Sequence, residues 1–87
     1  MLDDQTTLMR LEELSWKLGI PIRYESIKPE EEEALISGGL CRVHGNPVII
    51  INFRAPTKDR IRALVNALKH FDLNDIYIRP ALRELLE

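Results

Sequence analysis

Three groups of residues carry side chains able to do chemistry at suggestive spacings. Asn66 and His70 stand four apart in RALVNALKHF, Cys41 and His44 stand three apart in LCRVHGNP, and Pro29 is followed by the run Glu30 to Glu33. Residues four apart on a helix share a face. Zinc hydrolases use that geometry for two histidines, with a glutamate after the first to activate water. Here the first position holds an amide. Cys41 and His44 fall on an extended segment, where an odd spacing sends side chains to opposite faces, so a thiolate and a base do not converge. Cys41 reads as a small core residue and His44 as a surface residue of a hairpin. The glutamates read as the solvated, dipole-favoured start of a short helix opened by Pro29 rather than as a cation site. Gly38-Gly39 reads as a flexible turn and is too little to cradle a phosphate.

The elements that must position these groups follow from periodicity. Asp3 or Asp4 caps a first helix. Leu8, Leu11, Leu14 and Leu18 form its apolar stripe, and Gly19 stops it. Met9 and Trp16 lie one heptad apart and nearly opposite that stripe, which marks them as a candidate partner surface. Ile20, Ile22 and Tyr24 alternate with polar residues as a half-buried strand. Gly45-Asn46 predicts a two-residue hairpin turn with arms Leu40–His44 and Pro47–Phe53, and Val48 to Ile51, apolar on both faces, asks for the middle of a sheet. A second helix starts near Pro56 or Thr57. It buries Ile61, Leu64, Val65, Leu68 and Phe71 and ends at Asp72 to Asp75. On it Asn66 and His70, with Ala63 and Ala67 beside them, share a face turned roughly 140–160° from the apolar centre. Ile76 to Ile78 reads as a short extended piece, and Pro80 opens a last helical segment with Leu82, Leu85 and Leu86. The expectation is a single α+β domain over residues 1–87. A small mixed or antiparallel sheet of about three strands, including a β-hairpin, packs against two main helices and a short C-terminal helix.

Composition narrows the function classes. The 87 residues are 45% hydrophobic with a net charge of −2, which suits one small core and argues against an extended phosphate-binding surface. The basic residues Arg54, Lys58, Arg60, Arg62 and Lys69 form a local excess, read as solvated positions around the second helix. One cysteine allows no internal disulfide and fits a reducing cytosol. The segment MLDDQTTLMRLEE carries acids where a signal peptide has a basic start, and no apolar run approaches the ~20 residues that span a bilayer. A cytoplasmic protein is expected.

KLGIPIRYESI, followed by GGLCRVHGNPVIIINFRAPTKDRIRALVNALKHF, resembles the compact zinc-peptidase domain of the ImmA/IrrE type. That family has a leading helix, a strand, a hairpin whose second strand ends near an asparagine, and a helix bearing HExxH. The GGLCR and RELLE segments also resemble small uncharacterised bacterial proteins. Laid over HExxH, the chain reads Asn66-Ala67-Leu68-Lys69-His70, so only His70 matches. The resemblance places an amide at the first ligand and Ala67 where the general base belongs. Glu84 and Glu87 are the late glutamates available as a further ligand. One imidazole does not hold catalytic zinc, which takes three protein ligands, and loss of the base alone removes roughly 10²–10⁴-fold of rate. The resemblance therefore implies a degenerate zincin-like scaffold, an inactive metallopeptidase homologue with no catalytic, metal or cofactor residues and with Asn66 and His70 as a vestigial site.

The leading expectation is a non-catalytic protein-interaction or regulatory module, acting as a homodimer or on a protein partner through Met9 and Trp16. The alternatives are a metal-binding protein or metal-dependent hydrolase using His70, and a weak nucleic-acid-binding module using the basic residues of the second helix.

Overall fold

The computed structural model describes residues 3–26 and 38–87. Helix α1 spans Asp4–Lys17, strand β1 Ile22–Glu25, β2 Gly38–Val43 and β3 Asn46–Asn52. Helix α2 spans Thr57–Leu68 and α3 Pro80–Leu86. The sheet has the order β1-β3-β2, with β1 parallel and β2 antiparallel to β3. The fold is α+β with a mixed three-stranded sheet, as the residue pattern predicts. The short helix expected after Pro29 lies outside the described residues.

Strand β3 takes the centre because it is apolar on both faces. Ile49 and Ile51, both fully buried, point into the main core, where they meet Leu8, Leu11 and Leu14 of α1 and Leu64 and Leu68 of α2. Val48 and Ile50 lie on the opposite side of the same strand.

The hairpin differs from expectation by one residue. The turn is His44-Gly45, both at positive φ (53° and 84°), and the closing pair is Val43 with Asn46. Proline explains the shift. In a two-residue hairpin the residue after the turn donates its N–H back across the turn. A Gly45-Asn46 turn would assign that duty to Pro47, which has no N–H. Moving the turn back makes Asn46 the donor and sets Pro47 opposite Arg42. Gly38 and Gly39 are likewise not a turn; they open β2, paired with Ile51 and Ile50.

Helix α2 begins at Thr57 with Pro56 as its N-cap residue. The Arg60 side chain braces that end, donating from Nε to the Ala55 carbonyl (3.0 Å) and from Nη2 to Thr57 Oγ1 (3.3 Å). The helix stops at Leu68, four residues before the Asp72 to Asp75 stop signals. After it, the N–H groups of His70 and Phe71 bond to the carbonyls of Ala67 and Leu68, three residues back instead of four. The backbone tightens there, which lets Phe71 pack against the core from outside the helix. Ile76 to Ile78 forms no strand, although Ile78 is buried. Arg83 Nη2 holds this segment by donating to the carbonyls of Leu73 (3.2 Å) and Ile76 (3.3 Å).

Candidate functional site

Helix α1 presents its stripe Leu8, Leu11 and Leu14 to the core, so the residues between those positions must face out. Asp3 caps the helix, its Oδ1 accepting the Thr6 N–H at 2.7 Å, and this bond holds the Asp3 carboxyl below its ordinary range. On the outward side Met9 is half exposed and Trp16 is 77% exposed.

The end of α1 is built tightly. The Gly19 N–H bonds to the Trp16 carbonyl (2.9 Å) and the Ile20 N–H to the Ser15 carbonyl (3.0 Å), with Gly19 at φ 75°. This is a Schellman motif with glycine at its left-handed position. Ser15, fully buried, adds a second bond between the same two residues, its Oγ donating to the Ile20 carbonyl at 2.7 Å. The reversal sends the chain directly into β1, so the outer face of the last α1 turns runs beside the strand.

Between them lies an open groove of about 540 Å³ lined by Glu12, Trp16, Gly19, Ile20, Pro21 and Ile22. Glu12 and Trp16 are four apart on one helix face. Tyr24, on β1, reaches back to donate its hydroxyl to Glu12 Oε2. Among the described residues that line it, Glu12 is the only ionisable group. Partial burial pushes its carboxyl above the ordinary range, against the pull of Arg60, whose guanidinium is committed to Ala55 and Thr57. Among the described residues the ion pairs are Arg10–Glu13, Arg23–Glu25 and Arg62–Asp59, and none of these includes Glu12.

Strand β1 forms one margin of the groove and one edge of the sheet. The Ile49 N–H bonds to the Pro21 carbonyl (3.0 Å) and the Phe53 N–H to the Glu25 carbonyl (3.1 Å). In a parallel ladder such bonds use alternate residues. The N–H and C=O groups of Ile22 and Tyr24 therefore point away from β3, and among the described residues no strand pairs with that side.

The residues singled out by spacing separate in space. Asn66 is exposed on α2. His70 is exposed too, but it stands in the turn after the helix and not on a shared helix face. Their neighbours Ala63 and Ala67 are buried, so the apolar face of α2 is wider than its large residues imply. Cys41 is half-buried within β2 and His44 is in the turn. No group of three His, Cys, Asp or Glu side chains able to hold a metal occurs among the described residues. Of the basic residues near α2, Arg60 braces the helix start and Arg62 contacts Asp59 at 3.5 Å. No helix among the described residues is long and apolar enough to cross a membrane. No protein-family model, no curated protein and no solved structure matches the chain.

Sequence reasoning found Trp16 but not Glu12 or Ser15. Glu12 carries a signal in hindsight, a carboxylate one turn before an outward tryptophan. Ser15 carries none, because a serine beside an apolar stripe reads as surface.

Proposed function

We propose that this chain is a small, non-catalytic interaction module that binds a protein partner in the groove between α1 and β1, with Trp16 as its anchor. One observation carries the reading: the chain's single tryptophan projects into solvent beside an apolar groove whose backbone margin, β1, has no strand paired to its outer side among the described residues. Aromatic anchors seated in or beside pockets dominate binding energy at protein interfaces. Met9, two turns earlier on the same helix, extends the apolar ridge. On this reading the likeness to ImmA/IrrE-type peptidases is one of scaffold. Ala67, which would have to be the general base, has no proton to exchange and is buried, and the working surface lies on α1 instead. The lone thiol of Cys41 fits work in the reducing cytoplasm.

Selection from a displayed random-peptide library tests the proposal. Clones that bind the wild-type chain and lose binding to Trp16→Ala support it. Absence of enrichment, or clones that bind both proteins equally, removes it.

A further inference from the structure

We propose that the groove takes an extended peptide segment bearing a lysine or arginine, which adds as a strand to the outer edge of β1, unpaired among the described residues, and sets its cation between the Trp16 ring and the Glu12 carboxylate. This deepens the interaction-module reading and rests on it.

Backbone and side-chain observations point to the same occupant. Ile22 and Tyr24 turn their backbone donors and acceptors outward, which is the pattern an added strand pairs with. In the β1–β3 register Ile22 stands beside Ile49 and Tyr24 beside Ile51, so both side chains lie on the helix side of the sheet. An added strand alternates likewise, and every second side chain is directed toward Glu12 and Trp16. The chemistry waiting there suits a cation. Glu12 is a half-buried carboxylate with no ion pair among the described residues, and one turn along the helix is an exposed indole, the best of the aromatic faces for attracting a cation. The Tyr24 hydroxyl fixes one carboxylate oxygen and leaves the other open to a second donor. An acidic partner would be repelled by that carboxylate. A neutral apolar side chain would fill the groove but leave that carboxylate poorly solvated.

The test uses Trp16 as its own reporter, since no second tryptophan contributes emission. The probe is a blocked peptide of alternating Thr and Val with a central Lys, added up to millimolar concentration. Three comparisons accompany it: norleucine in place of Lys, N-methylation of alternate amides on the Lys peptide, and Glu12→Gln protein. A saturable change in Trp16 emission is expected, with the norleucine peptide about ten-fold weaker, as one cation–π contact plus one charge-assisted hydrogen bond implies. Glu12→Gln, which keeps a partner for Tyr24, is expected to abolish most of that preference, and methylation of the pairing amides to abolish binding. Equal binding of Lys and norleucine peptides, an undiminished preference in Glu12→Gln, tolerance of methylation, or no response to the Lys peptide would each overturn the proposal. The library selection separates the two levels. Trp16-dependent clones without a basic residue leave the module standing and remove the cation, whereas a selection that yields no Trp16-dependent clones removes both.

Discussion

Replacing Ser15 by alanine probes the joint that holds the groove together. Ser15 is fully buried, and its Oγ donates to the Ile20 carbonyl at 2.7 Å. That carbonyl belongs to a residue only 4% exposed. Deleting the hydroxyl orphans a buried acceptor, at a cost of about 1–3 kcal/mol. Alanine is the better helix former by roughly 0.5 kcal/mol, which offsets part of the loss. The net expectation is a destabilisation of about 1–2 kcal/mol, large for a domain whose total stability is on the order of 4–13 kcal/mol. Urea unfolding followed by circular dichroism reads it directly. With a slope near 1 kcal/mol per molar urea, the midpoint falls by about 1–2 M with the slope unchanged. Leu11→Ala serves as a calibration, because a fully buried leucine lost from the same helix costs about 2–5 kcal/mol. A Ser15→Ala midpoint indistinguishable from wild type would mean that water satisfies the Ile20 carbonyl. The reversal from α1 into β1 would then not be the rigid joint described.

Other positions give further expectations. Gly38→Ala places a Cβ 2.3 Å from the Ile50 carbonyl oxygen and 2.9 Å from Ile51 Cα at a φ of 126°, so it costs at least about 2 kcal/mol in thermal or chemical unfolding. Glu12→Gln stabilises the chain at neutral pH. The Glu12 carboxyl titrates above its unfolded value of 4.5, so its ionised form opposes folding, fully above the raised value and not at all below the unfolded one. The advantage of the variant should therefore shrink as pH falls through the carboxylate range, and a gap in melting temperature that widens on acidification contradicts the assignment. Asn66→Ala and His70→Ala, both at exposed sites, change stability by less than about 0.5 kcal/mol and leave groove binding unaltered in the peptide titration.

Most of the fold was legible because local rules and tertiary needs agree. The leucine stripe of α1, the glycine that ends it and the doubly apolar β3 each have one structure that satisfies them. Errors arose where two local signals competed. At the hairpin, Gly45-Asn46 is the stronger turn dipeptide, but the donor that Pro47 lacks decides the register. At the end of α2, Asp72 and Asn74 mark a stop, yet tightening after Leu68 lets Phe71 pack and ends the helix earlier. Gly38-Gly39 looks like a turn and is instead the start of β2, where Gly38 runs too close to β3 for any side chain. The candidate site was half legible. Outward placement of Trp16 follows from periodicity alone. The groove depends on β1 folding back beside α1, and no spacing within either element encodes the approach of Tyr24 to Glu12.

Amide chemical-shift mapping tests the docking groove most directly. The uniformly ¹⁵N-labelled chain is titrated with a peptide selected for binding, and the perturbed residues are assigned. Shifts concentrated on Glu12, Trp16 and residues 19–24, with the outward amides of Ile22 and Tyr24 moving furthest, are the expected result. Shifts centred on Asn66 and His70, or on the Val48 and Ile50 face of the sheet, would contradict it.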